Sequence, residues 1–245
     1  MSALPTARPL PSTGSAIDRA ALRALVLDVD GTMYVQRPVR VGMALRLARA
    51  TLASPAAGLR SWRVLHAYRA AQETLRLEGS RAAGEDQLRR AVDRSGVGLD
   101  EARACVARWM HEEPGPLLRR HRRAGLLELL GAARAAGVRI GVFSDYPAER
   151  KLAALGVDGL VDAVASAHDA GIGAFKPSPA GLLAVARALG VSPADCVYVG
   201  DRPEVDGAAA AAAGMPAFIV GGRGGGNGWD PIDSFPALAR RLGLP

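Results

Sequence analysis

The run Leu25-Val26-Leu27-Asp28-Val29-Asp30-Gly31-Thr32 decides how this chain folds. Its aliphatic half stands together without polar alternation, the pattern of a parallel strand buried on both faces. Gly31 then allows the positive-φ or close-approach geometry that ends such a strand. The strand therefore delivers the carboxylates of Asp28 and Asp30 to the rim of an apolar sheet. Carboxylates are costly to desolvate there unless a cation or a reaction uses them. That cost marks the stretch as a functional candidate.

Before it, residues 1–18 read as a flexible leader: Met1 to Ser15 is rich in Pro, Ser and Thr and lacks the apolar centre of a signal peptide. After it comes a long helical span. Val41 to Leu52 has helical composition, and Trp62, Leu65, Tyr68 and Leu75 recur at helical spacing opposite Arg63, Arg69 and Arg76. Glu85–Arg94 and Asp100–His111 read as two further helices, and Pro114-Gly115-Pro116 punctuates their end.

From Leu126 the rhythm changes to helix then strand. Val138–Phe143 is a strand ending at Ser144-Asp145, Ala163–Ser166 a short one, and Cys196–Val199 a third ending at Gly200-Asp201. Helices are expected over Leu126–Ala136, Ala148–Leu155, Pro179–Leu189 and Ala208–Ala213, followed by a strand at Ala217–Val220. Gly221–Gly228 reads as a flexible loop and Leu238–Leu242 as a terminal helix. This alternation implies an α/β fold, a doubly wound parallel sheet carrying an inserted all-helical segment. Ligands of such sheets bind at the carboxyl ends of the strands.

Composition narrows the function. The net charge is +7, but the basic residues are almost all Arg, spread over helices without interleaved aromatics. That is a solvated surface rather than a nucleic-acid platform, and it suits an anionic substrate through long-range attraction. No window has the apolar length of a membrane span. Cys105 and Cys196 lack metal-ligand spacing and read as buried free thiols in a reducing cytoplasm. Lysine occurs only at 151 and 176. A chain that otherwise uses Arg and keeps Lys at 176 calls for a compact point charge there.

The polar residues collect at strand ends: Asp28 and Asp30, Ser144 and Asp145, then Asp201, with Asp206 just beyond and Lys176 before a helix start. Each alone is plausible as a cap or turn, and Asp206 or Ser144 alone reads equally well as one. Together, on one rim, acids without enough cations favour a hard divalent metal, and Mg²⁺ takes a few carboxylates plus substrate oxygens and water.

In this arrangement the chain resembles the haloacid dehalogenase (HAD) superfamily. Asp28-Val29-Asp30-Gly31-Thr32 matches its first motif, Ser144 the second, Lys176 in Phe175-Lys176-Pro177 the third, and Gly200-Asp201 through Asp206 the fourth. The helical stretch sits where the family inserts its type-1 cap, which implies a Rossmann-like core over 19–37 and 117–245 and a cap over 38–116. The resemblance implies a Mg²⁺-dependent phosphatase for a small phosphomonoester. Asp28 would be the nucleophile, Asp30 the general acid and base, and Lys176 a charge-offsetting group. Asp28, the backbone carbonyl of Asp30, Asp201 and Asp206 would hold the metal. Ser144 would bind a phosphoryl oxygen, with Asp145 and Lys176 also at the substrate.

Family dehalogenases lack the second acid, and phosphonatases use a cap lysine, which residues 38–116 do not contain. A phosphomutase shares these motifs, and a non-catalytic scaffold that kept the fold is a further alternative. Asp145 stands where a small or amide residue is common, and Val205 where Asn or Thr is, so one hydrogen bond supporting Asp206 is expected to be missing. A type-1 cap either closes a pocket or carries a partner, so a homodimer is the second expected association.

Overall fold

The computed structural model describes residues 22–226 and 228–245; the leader expected over 1–18 lies outside them. The strands are β1 (Ala24–Leu27), β2 (Arg139–Ser144), β3 (Ala163–Ser166), β4 (Cys196–Gly200), β5 (Ala217–Val220) and β6 (Trp229–Ile232). They form one sheet in the order β3-β2-β1-β4-β5-β6, every neighbouring pair parallel. The chain steps outward from β1 to β3 and then returns to the other side of β1. Winding thus reverses between β1 and β4, and a crevice opens beyond their carboxyl ends.

Between β1 and β2 run α1 (Gln36–Ala53), α2 (Pro55–Glu78), α3 (Ala83–Ser95), α4 (Leu99–Val106), α5 (Gly115–Arg120) and α6 (Leu126–Ala135). The later crossovers supply α7 (Glu149–Leu155), α8 (Ala180–Leu189) and α9 (Ala208–Ala213), and α10 (Phe235–Arg241) follows β6. Both faces of β1 are covered. Leu25 and Leu27 pack with Ile140, Val199 and Phe218 against α6 and α10, while Ala24 and Val26 pack with Phe143 and Tyr198 against α8 and α9. A strand with no solvent face has no reason to alternate.

The helical insertion carries a core of its own, in which Leu47, Val64, Leu65, Tyr68, Val106 and Trp109 meet Tyr146 from the segment after β2. The helix expected over Asp100–His111 is α-helical to Val106 and continues as a π turn, 107–112, that carries Trp109. Pro114-Gly115-Pro116, expected as a break, leads straight into α5; Pro116 sits in its first turn, where a missing N–H costs nothing. β6 was not expected, because Asp230 and Pro231 argue against a strand. It is the sheet edge, where proline is tolerated.

The expected arginine face of α2 needs correction at its far end. Leu65, Tyr68 and Leu75 are buried as the spacing predicts, but Trp62 is exposed and the Arg76 side chain is buried. At 24 residues α2 is long, about 36 Å by its rise per residue. It begins within the insertion and ends on the sheet, where Leu75 joins the cluster beneath α8. A face that is solvated at Arg63 is therefore an interface at Arg76.

A buried polar chain links the insertion to the sheet. Tyr146 donates to Gln72 Oε1 at 2.5 Å, Gln87 donates to the Tyr68 carbonyl at 2.9 Å, and His168 Nε2 lies 3.0 Å from Gln87 Oε1. The His168 ring packs edge-on against Tyr146 and Phe175. Burial pushes its pKa from 6.5 down to about 4, and His111 is lowered for the same reason. The folded imidazole stays neutral, so its contribution is complete above about pH 6.5. It is lost as pH falls towards 4, where the unfolded chain takes a proton that the folded one refuses. The carboxyls raised at the site pull the other way, so the His168 contribution is read as a difference: in urea unfolding at pH 7.5, 6 and 5 the wild type should lose stability relative to His168→Phe on acidification, at up to about 1.4 kcal/mol per pH unit from one such group. A difference that does not change with pH would overturn this assignment.

Candidate active site

The site is built where β1 and β4 end. The Asp28 N–H donates to the Val199 carbonyl at 2.9 Å, which holds the first aspartate against β4. Asp28 Oδ1 accepts from Lys176 Nζ at 2.5 Å, and Oδ2 accepts from the Thr32 hydroxyl at 3.0 Å. Lys176 also donates to Asp206 Oδ1 at 2.7 Å and to the Tyr198 hydroxyl at 3.2 Å. Tyr198 in turn donates to Asp206 Oδ1 at 2.7 Å, and the other Asp206 oxygen accepts from the N–H groups of Asp201 and Arg202. The sequence predicts a missing support at Val205; Tyr198 supplies one from β4. Its hydroxyl is the only polar side-chain tip within that apolar run apart from a thiol, which is the signal that could have found it.

Glycine is required at two points of this crowding. Gly31 has φ 95°, and a Cβ there would lie 2.0 Å from an Asp201 carboxylate oxygen. At Gly200 it would come within 2.4 Å of the Asp206 side chain.

Charge is unbalanced. One ammonium faces two buried carboxylates. Burial alone would lower Lys176, but Asp206 and Asp28 hold it well above its ordinary range. Burial would raise Asp206, yet Lys176 and the donors around it keep this carboxyl below its usual range. Asp28 is then pushed up, by burial first and by Asp206 and Asp201 after it, against the pull of Lys176. Asp201 is pushed up to about 6 by burial and by Asp206. Among the described residues its carboxylate joins no hydrogen bond or ion pair.

The carboxylate oxygens of Asp28, Asp201 and Asp206 come within 4.8 Å of one another. Hard oxygen donors around an unpaired, proton-attracting carboxylate suit a divalent cation. Asp28 and Asp201 have oxygen lone pairs to give. Asp206 is already committed on both oxygens, which suits an orienting role or contact through water.

Asp30 opens onto the same cavity, of about 410 Å³, as Asp28, Lys176 and Asp201. It is held by groups the sequence reading did not single out. Lys151 Nζ, from α7, lies 2.7 and 2.5 Å from its two oxygens, and the Tyr34 hydroxyl donates to Oδ1. Burial would raise Asp30, but the Lys151 charge and hydrogen bond, with Tyr34, hold it below the usual carboxylate range. The signal for Lys151 was present: lysine is as rare at 151 as at 176.

Ser144 ends β2 but is fully buried; its hydroxyl accepts from the Tyr146 N–H at 3.3 Å and it stands behind the cavity wall rather than on it. Asp145 reaches the wall with both oxygens taken by protein donors. Oδ1 accepts from the Lys176 N–H at 3.1 Å, and Oδ2 accepts from Arg76 at 2.8 Å and Gln72 at 3.3 Å. This is how a further carboxylate is kept from repelling an anion nearby. Arg76 also donates to the Lys176 carbonyl at 3.0 Å, fastening α2 to the segment that carries the lysine. Of the three arginines expected on one face of α2, Arg69 and Arg76 line the cavity and Arg63 does not.

Comparison with known proteins places this geometry. Residues 22–214 match the model of the haloacid dehalogenase-like hydrolases. The chain is 32% identical over 222 residues to the phosphoglycolate phosphatase of Rhodospirillum rubrum, covering 89% of this chain and 86% of that protein. Its fold is shared with a 2-haloacid dehalogenase from Pseudomonas syringae pv. Tomato DC3000, at TM-score 0.64 and 23% identity over 91% of this chain and 98% of that one. It is shared too with CbbY from Rhodobacter sphaeroides in complex with phosphate, at TM-score 0.59 and 21% identity over 91% and 100%. No helix among the described residues is long and apolar enough to cross a membrane. The chain is an enzyme and belongs to the haloacid dehalogenase-like hydrolase family.

Proposed function

We propose that the chain is a Mg²⁺-dependent phosphatase that hydrolyses a small phosphomonoester through an aspartyl-phosphate on Asp28. The observation that carries this reading is the pairing at the cavity floor. Asp28 lies against Lys176 beside an unpaired Asp201, and Asp30 faces the same space two residues on.

In the first step an Asp28 oxygen attacks phosphorus, the P–O bond to the alcohol breaks in line, and Asp30, ionised in the free site, takes up the proton of the phosphomonoester monoanion and passes it to the departing oxygen. In the second, Asp30 takes a proton from water, the water oxygen attacks the phosphorus of the aspartyl-phosphate, and Asp28 and phosphate are released. Lys176 offsets the charge that would otherwise separate a carboxylate from a phosphoryl group. Asp28, the Asp30 carbonyl and Asp201 would hold Mg²⁺, with Asp206 acting through water; when bound, the ion neutralises phosphoryl oxygens. We assign Ser144 chiefly to the turn that presents Asp145, and its phosphoryl contact comes second.

Residues 38–116 serve as the cap that selects the substrate, over a core of 19–37 and 117–245. The exposed arginines Arg40 and Arg69 on the cavity wall, both outside any ion pair among the described residues, suit an anionic leaving group. The relative from R. rubrum makes 2-phosphoglycolate the first substrate to assay. A cytoplasmic location and a homodimer complete the reading.

A panel of phosphorylated metabolites should give inorganic phosphate with Mg²⁺ and none with EDTA. Mg²⁺ at about 100 times its dissociation constant should stabilise the fold by about 2.7 kcal/mol, and Asp201→Asn should remove most of that shift. Isomerisation of a sugar phosphate without phosphate release would favour a mutase. A melting temperature and an activity both indifferent to Mg²⁺ would favour a scaffold.

A further inference from the structure

The two lysines of this chain are both buried, each against one aspartate of the opening stretch: Lys176 on Asp28 and Lys151 on Asp30. Burying an ammonium costs several kcal/mol unless its partner geometry is good. Among the described residues the one ion pair of Lys151 is with Asp30, a carboxylate on the cavity wall. The nearest ring face, that of Tyr146, is 5.4 Å from Nζ and offers no second carboxylate. Tyr34 adds a hydroxyl donor to the same carboxyl, so Oδ1 receives two donors and Oδ2 one.

The two aspartates are drawn in different directions. Lys176, itself bonded to Tyr198 of β4, holds Asp28, whereas Lys151 from α7 and Tyr34 from the turn before α1 hold Asp30. An in-line displacement places the nucleophile and the leaving oxygen on opposite sides of phosphorus.

We propose that Lys151 and Tyr34 are positioning residues that hold the Asp30 carboxyl on the leaving-group side of the cavity. The proposal rests on the phosphatase reading. A purely structural ion pair would be indifferent to the leaving group, and that difference can be measured. Departure of p-nitrophenolate needs no proton, whereas departure of a primary alkoxide does. The ratio kcat/KM reports the steps up to that departure and is not affected by later hydrolysis of the aspartyl-phosphate.

Lys151→Met should lower kcat/KM for a primary alkyl phosphate about 100-fold while leaving that for p-nitrophenyl phosphate within about 3-fold. Tyr34→Phe, which removes only a hydroxyl, should show the same split at smaller size and stands in where Lys151→Met does not fold. Equal losses on both substrates would overturn the proposal while leaving the phosphatase reading intact. Crystal structures of the wild type and of each variant supply a readout independent of turnover. The proposal requires the Asp30 carboxyl to leave its wild-type position with Asp28 unmoved. If the wild type releases phosphate from no substrate, the phosphatase reading falls. An Asp30 in its original rotamer in both variants overturns the positioning role in either case.

Discussion

Asp28→Asn should give a folded protein that melts no lower than the wild type in EDTA and releases no phosphate. Loss of a covalent nucleophile is expected to cost on the order of 10⁴-fold or more in kcat, since no neighbour can replace it. Asp30 cannot, because both of its oxygens accept from Lys151 and Oδ1 accepts from Tyr34 as well. The stability half of the prediction follows from the charge imbalance. Asp28 is pushed up by burial and by Asp206 and Asp201, against the pull of Lys176, so its surroundings disfavour its ionised form. Asparagine keeps the shape and can still accept from Thr32, and Lys176 retains Asp206. Retention of more than a few per cent of wild-type turnover would remove Asp28 as nucleophile. A large drop in melting temperature would show instead that the Asp28–Lys176 pair is a net source of stability.

Lys176→Met should be inactive and also unstable. It leaves Asp28 and Asp206 buried without their shared cation, and removing one partner of a buried pair costs about 3–5 kcal/mol. The deficit should shrink on acidification, because protonating one of the two carboxylates removes a buried charge and the folded state then holds the proton more tightly than the unfolded chain does. Denaturation at pH 7.5 and pH 5 would check this. Adding Asp206→Asn to Lys176→Met should recover part of the stability and none of the activity, which separates the lysine's contribution to folding from its contribution at the phosphoryl group. A variant as stable as the wild type at neutral pH would contradict the electrostatic account of the site.

How far these residues could be read in advance depends on how local their signals are. Asp28, Asp30 and Asp201 stand directly after buried strands, and a strand's period and its terminating glycine are visible within a few residues. Lys176 was legible because it is the rare cation before a helix start. Asp206 followed from its short spacing to Asp201. Lys151 carried the same rarity but no neighbouring motif, and its partner lies 121 positions away. Tyr198 was hidden within a strand pattern that its ring satisfies. Arg76 reads from the sequence first as a solvated residue and second as a substrate contact, because helical periodicity assigns a face but not what that face meets.

The sequence by itself therefore determined the doubly wound sheet, the place of the helical insertion and the acids at the strand ends, because each is written in short-range periodicity and turn chemistry. Only the tertiary structure decided which cation serves which acid: Lys176 between Asp28 and Asp206, Lys151 on Asp30, and Arg76 on Asp145. The physical reason is that a buried charge takes whatever partner the packing of distant elements brings within hydrogen-bond reach, and sequence spacing carries no record of that distance.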